Sequence, residues 1–299
     1  MHIRRMAMSG ALAGLALVAH GVSEAKRYRR REYDIPVLAP GATPIRILLV
    51  SDLHLAPGNR KLAKFLEGLG HETYDLVFAT GDFLSEPESV DPCVRLLNGL
   101  HGNAGRFFVL GSSDYFAPTF KTYFEYFLKV RRHGVRRNPT DRFRRALVND
   151  GWTDMTNRSV GAECNGTWIQ VTGLDDPYLG WDDRSLLERD PDAGLAVCAV
   201  HDPGPYLEAI QAGYDLVISG HTHGGQVRLP FVGAVVTNST LPTALARGLA
   251  RIDRASDDDS AEGAGYLFVT PGLGVSKFAP FRFLCPPEAS ILNLIPRGD

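Results

Sequence analysis

Five stretches of this chain are nearly unbroken runs of apolar and β-branched residues, and each ends in side chains that can bind a cation or donate to one. Ile45-Arg46-Ile47-Leu48-Leu49-Val50 runs into Ser51-Asp52-Leu53-His54, and Tyr74 to Thr80 runs into Gly81-Asp82. Arg106 to Leu110 is followed by Gly111-Ser112-Ser113-Asp114, and Gly194 to Val200 by His201-Asp202-Pro203. Tyr214 to Ile218 leads to Gly220-His221-Thr222-His223, flanked by glycines. Strands without polar alternation are those buried on both faces. Between the first three, Leu62 to Leu69 carries apolar residues at 62, 65, 66 and 69, and Val94 to Leu100 is a second helical candidate. Strand, helix, strand, helix, strand predicts a parallel sheet covered by helices.

The second half repeats this grammar. Thr167 to Gly173 predicts a strand leading to Asp175-Asp176, and Pro205 to Ala212 a short helix with proline in its first turn. Tyr214-Asp215-Leu216-Val217 echoes Tyr74-Asp75-Leu76-Val77. Tyr266 to Thr270 and Ser290 to Ile295 close the pattern as strands.

Three segments break it. Residues 1–44 hold a short apolar run from Met6 to Ala19, the basic cluster Lys26 to Arg31 and a linker from Pro36 to Pro44. The run fits a signal-peptide core with Ser23-Glu24-Ala25 as cleavage site, and equally an interfacial helix held to anionic lipid by arginines. The folded domain is expected over 45–299. Within it, 118–150 combines an aromatic helical face (Phe120, Tyr123, Phe124, Phe127) with a dense set of arginines, which predicts a cap offering both to a lipid or phosphate group. Residues 251–265 are acidic and small, and are expected to be disordered.

Composition narrows the class only modestly. The 299 residues are 44% hydrophobic and 22% charged with a net charge of −2, so nothing global predicts nucleic-acid binding. The four cysteines lie far apart without a C-x-x-C pair, which excludes a disulfide framework and a zinc ribbon.

In a sheet-based α/β fold the strand ends gather at one edge, where ligands bind. That would bring Asp52, His54, Asp82, His201, His221 and His223 together. Such a buried cluster is costly unless divalent cations fill it. Mixed oxygen and nitrogen donors suit manganese, iron or zinc better than calcium.

The order Asp52-Leu53-His54, Gly81-Asp82, Gly111-Ser112-Ser113-Asp114, His201 and Gly220-His221-Thr222-His223 resembles the calcineurin-like metallophosphoesterases. The longer match, through Ser219 to Gln226 and Phe283 to Glu288, is most similar to the bacterial YkuE-type, membrane-associated branch. The resemblance implies an α/β fold, a four-layer α-β-β-α sandwich with two mixed sheets face to face and helices outside. It implies two divalent metal ions, one on Asp52, His54 and His223, the other on His201 and His221, with Asp82 bridging. It also implies hydrolysis of a phosphoester, of phosphodiesterase or pyrophosphatase type. The apolar N-terminus and the aromatic, basic segment 118–150 point to a lipid-linked or nucleotide-like substrate with peripheral membrane contact, and no nucleic acid is expected.

One motif departs. Where the family has G-N-H-D, Ser112 stands in the asparagine's place and Ser113 in the histidine's, so no imidazole remains as general acid. Asp114 is retained and is expected to act catalytically by orienting a water or a histidine. The alternative is a scaffold that binds metal and phosphate without turnover.

Overall fold

The computed structural model describes residues 14–56, 58–118, 136–255 and 263–298. Two six-stranded mixed sheets stack face to face. The first contains β1 (Arg29–Leu38), β2 (Ile45–Val50), β3 (Tyr74–Thr80), β4 (Gly102–Val109) and β5 (Thr153–Asp154). The last strand of the chain, β14 (Glu288–Pro296), inserts between β1 and β2, parallel to the former and antiparallel to the latter. The second sheet contains β6 (Arg158–Cys164), β7 (Thr167–Gly173), β8 (Leu195–Ala199), β9 (Leu216–Ser219), β12 (Gly248–Asp253) and β13 (Ala264–Val269). Its order is β12-β13-β9-β8-β7-β6, with β7, β8, β9 and β13 mutually parallel.

Pleating explains why apolar runs were needed. Ile45, Ile47 and Leu49 of β2 join Phe78, Phe107, Val171, Val197 and Ile218 in the core between the sheets. Leu48 and Val50 point the other way, onto Leu62 and Leu66 of α2 (Arg60–Leu69) and Cys93 and Leu97 of α3 (Val90–Asn98). On the far sheet Ala196, Cys198 and Val217 pack on Ala209 and Ile210 of α6 (Tyr206–Gln211). This is the four-layer sandwich that the resemblance implied.

Three expectations change. The folded part begins before residue 45, because Arg29–Leu38 is an edge strand rather than a basic cluster and linker. Its first residues face solvent and only Ile35, Val37 and Leu38 are buried, so its pattern hides an edge strand. The stretch 140–149 is not a cap. It forms α5 (Thr140–Asn149), with Phe143 and Leu147 fully buried against the core beside α3. Two of its three arginines pair with acids of the same domain, Arg142 with Asp91 at 2.6 Å and Arg144 with Asp154 at 2.7 Å. The aromatic part of that segment lies outside the described residues. Finally, Arg251, Ile252 and Asp253 complete the paired strand Gly248–Asp253 where disorder was expected from residue 251, whereas 256–262 lie outside the described residues.

Residues 14–24 are helical (α1) and dock by their C-terminal turn, with Glu24 and Ala25 buried. Among the described residues no helix is long and apolar enough to cross a membrane.

Candidate metal centre

The centre lies where β2, β3, β8 and β9 end side by side. The chain leaves these strands through tight turns tied to one another, with Asp52 N–H donating to Gly81 O and His54 N–H to Asp82 O, each at 2.9 Å. Asp52, His54, Asp82, His221 and His223 all have positive φ, between 39° and 67°. A left-handed conformation costs a non-glycine residue about 1–2 kcal/mol, so holding five of them in this region concentrates strain at one place. Glycine makes the crowding possible. A Cβ on Gly220 would collide with Asp52 and Ser51, and one on Gly111 with Asp82 and His201.

Two groups of ligand atoms result. Asp52, His54 and His223 offer atoms that lie within 4.8 Å of one another, as do Asp52, Asp82 and His201. Nε2 of His54 and Nε2 of His223 face each other at 3.2 Å, and Asp52 Oδ1 is 3.7 Å from the latter. Asp82 Oδ2 stands between the groups, 3.5 Å from His54 Nε2 and 3.4 Å from His201 Nε2. His221 joins the second group through Nδ1, 3.4 Å from His201 Nε2. Thus all six predicted metal residues converge, each of them buried except His223, which is nearly so.

Their electrostatics are those of a cation cradle. Burial lowers the pKa of His54, and burial together with His54 and Arg282 holds His223 well below the usual imidazole value. Burial also opposes charge on His201, but the carboxylate of Asp82 outweighs it and raises this imidazole well above its ordinary value. Asp82 is correspondingly lowered, with His201 and His54 overcoming the effect of burial. His201 Nδ1 donates to Thr80 O at 2.7 Å, which commits Nε2 to the centre. Facing lone pairs 3.2 Å apart next to two carboxylates fit divalent cations, and the residues present therefore suit the two ions that the chemistry requires.

Asp114, expected as a catalytic group, is placed elsewhere. It is fully buried, and its carboxylate accepts four backbone N–H bonds, from Gly111, Asp82, Phe83 and Leu84 at 2.8–3.1 Å. Burial and the Asp82 charge push it up to about 7 against the pull of these donors. It anchors the turn that carries Asp82 and has no oxygen left for a water. Ser113 rather than Ser112 addresses the centre, its N–H and Oγ reaching the two oxygens of Asp82 at 2.8 and 3.0 Å.

Sequence reasoning passed over two further residues. Asp202, adjacent to His201, lies 3.7 Å from His221 Nε2, beyond hydrogen-bond reach but close enough for its charge to act on that ring. Arg282 is wholly buried and donates to Pro271 O and Gly274 O, each at 2.7 Å, and its Nη2 lies 3.2 Å from His223 Nδ1. Its one signal was a charge set between Phe281 and Phe283.

Comparison with known proteins places this geometry among relatives. The family model described as calcineurin-like phosphoesterase matches residues 45–225. The metallophosphoesterase YkuE of Bacillus subtilis is 26% identical over 96% of this chain and 94% of its own length. A metallophosphoesterase of Aquifex aeolicus is 27% identical over 87% and 88%. A zebrafish (Danio rerio) protein named as a transmembrane protein with metallophosphoesterase domain is 25% identical over 81% of this chain and 52% of its own.

Proposed function

Because this chain belongs to the calcineurin-like phosphoesterase family and is a metal-dependent phosphoric ester hydrolase using two divalent ions, we propose that it cleaves phosphodiester or pyrophosphate bonds in a lipid-linked or nucleotide-like substrate. The observation that carries this reading is Asp82 Oδ2, equidistant within 0.1 Å from His54 Nε2 (3.5 Å) and His201 Nε2 (3.4 Å). A carboxylate so placed could serve both ions. Asp52, His54 and His223 would hold one ion, His201 and His221 the other, and Asp82 would be shared between them.

When bound, the ions supply Lewis acidity toward the phosphoryl group and lower the pKa of the attacking water. The chain does the rest. Thr80 O fixes the ring of His201 from behind. Ser113 fixes both oxygens of Asp82. Because Ser113 leaves no imidazole to protonate the departing oxygen, the site suits leaving groups that need little help, such as a phosphate or a phenolate.

The lipid-linked preference and a membrane-associated location are supported by the apolar run in α1, by exposed Lys26 and Arg27 after it and by the similarity to a protein named as transmembrane. Burial of Glu24 and Ala25 supports retention of this segment on the folded protein rather than cleavage beside it.

The test is hydrolysis of bis-p-nitrophenyl phosphate by the purified chain with manganese titrated in, beside Asp82→Asn. Manganese-dependent turnover that disappears in the variant is expected. Metal binding without turnover on this ester or on lipid-linked pyrophosphates would instead identify the non-catalytic scaffold.

A further inference from the structure

Large apolar side chains left in solvent are unevenly placed on this molecule. Ten of the fourteen that are exposed among the described residues fall in three short segments: 15–18, 229–236 and 281–284. The most exposed is Phe231, at 109% of its reference area, on the tip of the hairpin formed by β10 (Arg228–Leu229) and β11 (Gly233–Ala234). Val232 beside it is 69% exposed, and Leu15 and Val18 on α1 are 70% and 65% exposed.

The three segments form one surface. Gly21 O of α1 accepts from Arg282 N–H at 3.0 Å, and the His20 ring meets Phe283 edge-on at 5.8 Å. Phe283 in turn pairs by its backbone with the first strand's side of the hairpin base, donating to Gln226 O and accepting from Arg228 N–H. The side chain of Gln226 closes the joint by donating to Ala279 O and Phe281 O, each at 2.9 Å.

Charge distinguishes this surface from the rest of a net-acidic molecule. Residues 14–22, 227–236 and 279–284 contain no aspartate or glutamate. Exposed Lys26 and Arg27 follow α1 directly and enter no ion pair among the described residues. An apolar face free of carboxylates and bordered by unpaired cations is the composition of an interfacial membrane anchor. A water-facing surface of this size gains nothing from such side chains.

We propose that α1, the 228–234 hairpin and the 281–284 loop together dock on an anionic phospholipid bilayer, with Phe231 inserted among the acyl chains. The hairpin springs directly from the turn that carries His223, so docking sets the metal centre at the headgroup level. Its functional consequence, hydrolysis of a phosphoester held in the membrane, rests on the phosphoesterase reading; the docking itself does not.

The experiment uses the full chain with sucrose-loaded vesicles of phosphatidylcholine alone or mixed with phosphatidylglycerol, and sedimentation as the readout. Binding is expected to the mixed vesicles and to be weakened by salt. Phe231→Asp is expected to weaken it at least about tenfold, while Phe231→Leu retains it. Phe231→Trp should shift its fluorescence to the blue when mixed vesicles are added. Hydrolysis of bis-p-nitrophenyl phosphate in free solution should be unchanged in Phe231→Asp, which separates loss of docking from loss of the centre. Sedimentation with neither vesicle, or equal binding by wild type and Phe231→Asp, would overturn the proposal. So would a wild-type dimer that Phe231→Asp dissociates without any vesicle binding, which would make this face a contact between two copies.

Discussion

Nη2 of Arg282 lies 3.2 Å from Nδ1 of His223, on a guanidinium that no solvent reaches. A guanidinium has no acceptor, so when Nε2 of His223 holds an ion and Nδ1 carries the ring proton, the two groups meet by contact rather than by a hydrogen bond. The same group gathers the carbonyls of Pro271, Gly274 and Cys285, so one side chain ties the His223 turn to the loop that precedes β14. Burial lowers its pKa, though not enough to deprotonate an arginine.

Replacing Arg282 by methionine is expected to cost about 3 kcal/mol or more, since several carbonyls lose a charged donor in the interior. Lysine should rescue little, because an ammonium cannot fork between them. Urea midpoints report the stability, and calorimetric titration with manganese should show a weakened ion at Asp52, His54 and His223. An unchanged metal affinity in a folded variant would reduce Arg282 to a purely structural role.

Ser113→Ala removes the 3.0 Å bond from Oγ to Asp82 and spares the 2.8 Å bond from the backbone. Turnover on bis-p-nitrophenyl phosphate should fall about tenfold, the equivalent of about 1.5 kcal/mol for a hydrogen bond to a charged acceptor. Ser112→Ala, at a side chain that does not contact Asp82, is the control and should act more weakly. The reverse ranking would return the ligand role to Ser112.

Glu24 accepts from Cys285 N–H at 2.6 Å and His20 lies 3.1 Å from its other oxygen. Glu24→Ala leaves that buried N–H without a partner and should destabilise by about 1–3 kcal/mol, whereas Glu24→Gln keeps an acceptor and should cost less. Thermal unfolding of the two variants decides it. Equal stability would show that α1 is not fastened through this residue.

All four cysteines are free and buried. Burial pushes the Cys198 thiol up to about 12 and Cys164 to about 11, and raises Cys93 well above its usual value. A raised thiol pKa means the protonated, unreactive form prevails at pH 8, where a group of pKa 12 is only about 10⁻⁴ ionised. A chromogenic disulfide reagent at that pH should therefore label Cys93, Cys164 and Cys198 only as the chain unfolds. Prompt labelling of the native protein would contradict their placement in the core.

What the sequence disclosed follows from where each element sits. β2, β3, β7, β8 and β9 are buried on both faces, so their composition names them without help from the fold. β1 and β6 lie at sheet edges and expose alternate or successive residues, and the polar surface of Arg29–Leu38 and Arg158–Cys164 conceals them. The histidines and aspartates at the strand ends were legible because their types and order are chemical. The four backbone N–H groups that Asp114 accepts were not legible, because such donors carry no sequence signature. Arg282 was passed over for a similar reason: its partners are mostly carbonyls brought from separate loops. The left-handed turns at Asp52, His54, Asp82, His221 and His223 are a tertiary outcome that no local pattern announces.

The pairing of β1 with β14 joins Arg29–Leu38 to Glu288–Pro296, almost the whole chain apart. During synthesis β1 must therefore wait for β14. The wait extends to the chemistry, because Arg282 behind His223 belongs to that later stretch and α1 has no 282–285 loop to rest on until it arrives. A chain released just before Arg282 would carry every metal ligand and no finished centre to hold them.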